Sequence, residues 1–218
     1  MDNKPLISYS KELAGIALKI GAIKISPEHP FTWASGYKMP IYNDNRLLLG
    51  KAGYRTLVAE GFQAILKAER IEADVVAGTA TAGIPPATTL ANLLQTPLIY
   101  VRGAAKTHGM QNQIEGVLQK KQKVIVIEDL ISTGDSVIKT VQAVRDAEGV
   151  VDHCLCIFNY GFEKAKAMFQ QSHCRVHSLL TYPTLIDYAI ETGFITAEQA
   201  RVLDSWYQNP FEWGNRNP

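Results

Sequence analysis

Glu128 and Asp129 stand side by side at the end of an apolar run, Val124-Ile125-Val126-Ile127. The turn after them, Leu130-Ile131-Ser132-Thr133-Gly134-Asp135-Ser136, is rich in hydroxyls and holds a glycine, and helical periodicity starts at its far end. Each part has a chemical use. A helix N-terminus offers unpaired N–H groups and a partial positive charge, which suits a phosphate. Gly134 lets the backbone come close to a ligand, and Ser132, Thr133 and Ser136 add hydroxyl donors. The two carboxylates can take sugar hydroxyls or Mg2+ and can stabilise positive charge in a transition state. A plain helix cap beside two solvated acids is the competing reading, and it leaves the coherence of the run unexplained.

Two further stretches carry weaker signals. Gly78-Thr79-Ala80-Thr81-Ala82-Gly83 suits backbone contact with pyrophosphate, though alone it is equally a simple strand–helix turn. Arg102, Lys106 and His108 supply cations around a strand end. Taken without context, Lys106 and His108 read as an ordinary solvated loop; small neighbours and Gly109 favour a closing lid. No GxxxxGK[ST] and no GxGxxG occurs, which disfavours a Walker A protein and a Rossmann dehydrogenase.

The elements that must position these residues alternate between strand and helix. Helical spacing is expected over 10–23, with Ser10 as N-cap, and over 50–69, with Leu57, Val58, Phe62, Ile65 and Leu66 on one face. Strands are expected at 73–78, 97–102, 123–129, 150–161 and 175–182. Helices fall at 85–95, with proline in the first turn, and at 135–149, closed by Gly149. A short helix precedes the last strand, 27–40 is irregular or short-stranded, and 104–113 reads as a mobile loop. Two helices, 184–193 and 196–208, the second with a Thr196/Gln199 capping box, end the chain. Apolar strands alternating with helices imply an α/β fold with a doubly wound, mainly parallel sheet covered on both faces. Ligands of such sheets bind at the carboxyl ends of the strands, where strand order reverses.

Composition removes other classes. The chain has 218 residues with 46% hydrophobic and 20% charged content, which excludes disorder, and 22 Lys+Arg against 21 Asp+Glu give a net charge of +1. No basic excess favours nucleic acid, no apolar run approaches a membrane span, and the N-terminus lacks a secretory pattern. Cys154, Cys156 and Cys174 are an odd set without a CxxC spacing. They read as buried small hydrophobes in a reducing compartment, and cytoplasmic localisation is expected.

The run from Val124 to Ser136 resembles the signature for 5-phosphoribosyl 1-pyrophosphate (PRPP) in the type I phosphoribosyltransferases. Phe31-Thr32-Trp33-Ala34-Ser35-Gly36-Tyr37-Lys38-Met39-Pro40-Ile41-Tyr42-Asn43-Asp44-Asn45-Arg46 is similar to the SGxxxPxYxDxR segment of their orotate-using branch. Stretches 77–85, 100–109 and 113–116 are similar to that branch's pyrophosphate loop, catalytic loop and loop return. The likeness covers roughly residues 10–210. The pattern also departs here: Gly103 and Ala104 follow Arg102 where a further cation is usual, Thr107 replaces an aspartate, and Ala34 and Asn159-Tyr160-Gly161 stand where some members carry orotate-binding cations.

The resemblance implies one domain over 1–218, with a small hood from about 1–45 and 183–218. It implies catalytic Lys106, His108, Glu128 and Asp129. It assigns PRPP to Thr79, Ala80, Arg102, Lys106, His108, Glu128, Asp129, Leu130, Ile131, Ser132, Thr133, Gly134, Asp135 and Ser136, and orotate to Ser132, Tyr42, Lys38 and Tyr160. Mg2+ is the implied cofactor, held mainly by PRPP, and a homodimer is implied in which the 104–113 loop completes the neighbouring site. Transfer to another base, or a non-catalytic PRPP-binding regulator, stays open at this level.

Overall fold

Val75–Thr79 is buried at every position and lies inside a six-stranded sheet, as a continuous apolar strand must when both faces are covered. The computed structural model describes residues 4–33, 36–103 and 113–216, with side chains as far as 213. The helices are α1 Leu6–Lys19, α2 Ala52–Ala68, α3 Ile84–Leu94, α4 Asp135–Asp146, α5 Glu163–Gln171, α6 Tyr182–Glu191, α7 Ala197–Gln208 and α8 Pro210–Arg216. The strands are β1 Ile23–Ile25, β2 Phe31–Thr32, β3 Lys38–Met39, β4 Ile41–Asn43, β5 Val75–Thr79, β6 Leu98–Val101, β7 Ile114–Glu115, β8 Lys123–Ile131, β9 Val150–Asn159 and β10 Arg175–Thr181. A 3-10 helix, Asn45–Gly50, joins β4 to α2.

The main sheet runs β10-β9-β8-β5-β6-β7, parallel throughout except for the β6–β7 pair. From β5 the chain moves outward to β6 and then crosses to β8 on the other side of β5, so strand order reverses between β5 and β8. That reversal opens a crevice at the carboxyl ends of these two strands. Alternate strand residues feed two cores. Val76, Ile125, Ile127 and Leu155 pack under α1, α2 and α3, while Val75, Val126, Cys154 and Cys156 pack under α4 and α5. The first core continues into both chain ends through Met39, Leu203, Trp206 and Trp213. Trp206 Nε1 donates to Met39 Sδ at 3.1 Å, and the Tyr182 hydroxyl donates to the Leu203 carbonyl at 3.0 Å.

Several expected boundaries move. Helix α1 starts four residues ahead of Ser10, so Ser10 is no cap; its hydroxyl donates to the Leu179 carbonyl of β10 at 2.5 Å, a tertiary bond that periodicity cannot show. Helix α4 ends at Asp146, and the left-handed residue is Glu148 (φ 63°) rather than Gly149. Gly149 still closes the helix, since its N–H donates to the Val144 carbonyl at 3.0 Å and a Cβ there would meet Val144 Cγ1 at 2.8 Å. The glycine answers crowding rather than backbone angle. Strand β8 runs two residues past Asp129, because β9 keeps pairing with it up to Ile131. A third C-terminal helix, α8, follows the two expected; Pro210 opens it, and proline is well tolerated in a first turn. The Thr196/Gln199 capping box is present.

Candidate active site

The turn after β8 is shaped by Gly134, whose φ of 86° disfavours a side chain, and whose missing Cβ lets Phe169 of α5 approach to 3.2 Å of that position. No side chain caps α4 there among the described residues, so its first N–H groups keep their capacity for an anion. Thr133 donates to Asp135 Oδ2 at 2.6 Å and Lys164 pairs with the same oxygen at 3.0 Å, which hold the Asp135 carboxyl below its usual range. Ser136, one residue into the helix, turns back and donates to Glu128 Oε2 at 3.1 Å.

The two acids differ in environment. Glu128 is 4% exposed, and its other oxygen accepts the Asp129 N–H at 3.0 Å, so both of its oxygens are engaged inside the fold. Burial, and then the neighbouring Asp129 charge, push its pKa up to about 8. Asp129 lines a narrow cavity with Asn45, Arg46, Ala82 and Pro86. Burial raises it too, against a hydrogen bond with Glu128, backbone N–H groups and the Arg46 charge, which pull it down. Two carboxyls this close resist double ionisation. Glu128 is therefore the group that stays protonated near neutrality, and Asp129 is the outward carboxylate.

At the neighbouring strand end, β5 turns into α3 over residues 80–83. The turn is locked by Gly83, where a Cβ would stand 2.5 Å from the Ile127 carbonyl and 2.8 Å from that of Thr79. The Ala80–Thr81 peptide is cis. Thr79 is 4% exposed and its hydroxyl has no partner among the described residues. A buried polar atom left open at a crevice is suited to a ligand. Arg102, at the end of β6, pairs with Glu115 at 3.5 Å. Its N–H donates to the Gln113 carbonyl at 2.9 Å, and Gln113 Nε2 returns a bond to the Arg102 carbonyl at 2.8 Å. Lys106 and His108, like the rest of 104–112, lie outside the described residues.

The structure thus brings Thr79, Ala80, Glu128, Asp129 and the residues Leu130, Ile131, Ser132, Thr133, Gly134, Asp135 and Ser136 to adjacent strand ends. Leu130 and Ile131 belong to the strand itself, and Ile131 points into the core at 1% exposure. Lys38 is exposed on β3, and Tyr42 on β4 packs its ring 5.8 Å from Phe31. Tyr160, expected at orotate, lies inside the aromatic core, and its hydroxyl has no partner among the described residues. It is fully buried, stacked on Phe162 at 5.1 Å and 5.4 Å from Trp33, because the chain turns inward at Gly161 (φ 73°) under α7. Two residues that sequence reading left without a role stand at the site. Asn45 Nδ2 donates to the Asp129 carbonyl at 2.7 Å, and Arg46 acts on Asp129 through its charge. Only their place in the Phe31-to-Arg46 segment signalled them.

A family model, described as phosphoribosyl transferase domain, matches residues 53–177, the stretch that carries the sheet from β5 through the start of β10. Fold and site together define a phosphoribosyltransferase. A Listeria innocua protein named orotate phosphoribosyltransferase is 46% identical over 208 residues, 95% of this chain and all of that one. One of the same name from Halalkalibacterium halodurans is 47% identical over 88% of this chain and 92% of its own. The crystal structure of orotate phosphoribosyltransferase from Aeropyrum pernix superposes with a TM-score of 0.73 at 28% identity, covering 84% of this chain and 99% of that one. The chain belongs to the orotate phosphoribosyltransferases, a branch of the phosphoribosyltransferase family.

Proposed function

We infer that the chain transfers the phosphoribosyl group of PRPP to orotate, giving orotidine 5′-monophosphate and pyrophosphate, a step of pyrimidine biosynthesis. The observation that carries this is the acid pair at the end of β8 running directly into an uncapped α4. The 5-phosphate is held at the start of α4 by backbone N–H groups of the turn after Ser132. Asp129 takes a ribose hydroxyl and lies close to C1, which gains positive charge as pyrophosphate leaves. Glu128 fixes that carboxylate from behind through the Asp129 N–H. Thr79 and Ala80 contact the departing pyrophosphate, and Arg102, Lys106 and His108 neutralise it.

Mg2+ fits this site as an ion that arrives on PRPP. Among the described residues no cluster of three or more His, Cys, Asp or Glu side chains could hold a metal, while Asp129 offers one outward carboxylate. When bound, the ion offsets charge on the pyrophosphate, with few protein ligands, as is usual for it. Orotate is placed between Ser132 and the hood strands that carry Lys38 and Tyr42. Its ring nitrogen is already anionic or nearly so, and no strong general base is needed.

A homodimer completes this reading, with the 104–113 loop of each subunit serving the other's site. Exposed Leu47, Leu49 and Leu93, on the 3-10 helix and α3, which both pack against α2, support such an interface. Cytoplasmic localisation is supported by three buried, free thiols. No helix of the described residues is long and apolar enough to cross a membrane. The test is to incubate the chain with Mg2+ and PRPP, offer orotate, uracil, hypoxanthine and adenine in turn, and follow pyrophosphate release. Orotate should be used at least about tenfold better in kcat/KM than uracil, since a site built for a carboxylate leaves polar groups unpaired without it. Equal turnover of the two bases would refute the assignment.

A further inference from the structure

We propose that Asn45 is a positioning residue for Asp129, acting from the 3-10 helix through the backbone of the catalytic strand. The inference rests on the function proposed above. Asn45 is 4% exposed, one of few buried polar side chains outside the acid pair. The residues on either side of it set its direction. Asp44 accepts the Arg46 N–H at 3.2 Å and grips the Arg46 guanidinium through Nε at 2.6 Å and Nη2 at 3.0 Å. This clamp caps the 3-10 helix and leaves Asn45, between the two, facing inward. Its amide donates to the Asp129 carbonyl at 2.7 Å.

That carbonyl sits where the sheet stops supporting the strand from one side. β9 pairs with β8 up to Ile131, but β5 pairs with it only up to Ile127. Asp129 lies two residues past that limit, at the crevice where the substrate must enter. A side-chain amide from the 3-10 helix supplies a donor in place of the missing strand. The bond fixes the peptide that carries Asp129, and with it the origin of the carboxylate. Charge stabilisation at C1 is steeply sensitive to placement, so a loosened Asp129 should cost rate rather than affinity. The same bond ties the segment that continues from hood strand β4 to the reacting centre, since β4 ends one residue before Asp44.

The test is a double-mutant cycle of N45L with D129N, following kcat and the KM values for PRPP and orotate. Leucine keeps the branching of asparagine, with bulkier methyl groups, and removes the donor. N45L alone should lower kcat about tenfold or more while KM for PRPP changes by less than about threefold. In the D129N background the same substitution should cost less than about twofold, since its effect has no carboxylate left to act through. N45Q retains a donor and should recover part of the lost kcat. Thermal unfolding of each variant checks the fold, and N45A replaces N45L in the cycle if the leucine is not accommodated. Wild-type kcat in the donor-free variant, or equal losses with and without the Asp129 carboxylate, would overturn the proposal. A wild-type chain inactive with orotate would instead strike the function, and this inference with it.

Discussion

Glu128 and Asp129 are neighbours in sequence and differ in how far they are buried, and their substitution should separate two roles. Asp129→Asn removes the outward charge and is expected to lower kcat by about 10²–10³ with a smaller change in KM for PRPP, because the lost interaction belongs to the transition state. Steady-state kinetics check this, and a pure KM effect would make Asp129 a ground-state sugar binder. Glu128→Gln, behind it, should also lower kcat more than it raises KM. Glu128 has a second signature in stability. Its folded pKa is raised from 4.5 to about 8, so the folded chain keeps a proton that the unfolded chain has lost across that window. Stability from this group is complete below the unfolded value and is lost as pH rises through the folded one. Urea unfolding at pH 5 and pH 8.5 should show the wild type weakening at the higher pH and Glu128→Gln weakening less. Parallel pH dependence in both would mean that Glu128 ionises freely in the fold. Much of this pair was legible from sequence, since apolar residues feeding two acids and a hydroxyl-rich turn have few other uses. What could not be read is that one acid faces inward, because that depends on Ser136 returning a hydroxyl across the turn.

At the scale of elements, the strand–helix alternation was readable because β5, β6, β8 and β9 are mostly apolar runs bounded by turn residues. The order of the strands followed only as a rule about crevices, and the structure supplies the reversal between β5 and β8. Helix ends were less readable. Ser10 and Gly149 have the right residue types for caps, yet one bonds to a distant strand and the other answers a crowded valine. Gly83 looked like part of a simple turn, and its real constraint is the Ile127 carbonyl of the next strand. Gly83→Ala should therefore destabilise the chain by about 1–3 kcal/mol, the usual cost of forced overpacking, measured by denaturant unfolding. It should also impair catalysis, since the turn it locks borders Asp129. An unchanged midpoint would mean that the β5–α3 turn relaxes easily. Ser136→Ala, by contrast, removes a hydroxyl that the free chain gives to Glu128 Oε2 and that is proposed to turn to the phosphate, which is held alike before and during reaction. It should raise KM for PRPP more than it lowers kcat.

For the whole molecule, the proposed shared site makes a prediction about mixtures. Lys106→Ala and Asp129→Ala should each be nearly inactive as pure homodimers, and mixed dimers should regain activity. One site then combines intact carboxylates from one subunit with an intact loop from the other, while the second carries both lesions. Subunits mixed under mild unfolding, refolded together and assayed with orotate and PRPP test this. If tagging verifies exchange and activity stays at the sum of the two variants, each loop serves its own subunit. The proposed dimer rests on resemblance, because an interface leaves no periodicity of its own. The three thiols give the molecule a different property. Cys154 and Cys156 are fully buried and Cys174 is 4% exposed, all in the core beneath α4 and α5. Burial pushes the Cys156 thiol up to about 12 and Cys174 to about 11, so neither reacts appreciably from the closed fold. A disulfide reagent added to the native chain can then modify them only during openings of that face. The rate of labelling becomes a clock for those openings, and PRPP, if it closes the end of α4, should slow it.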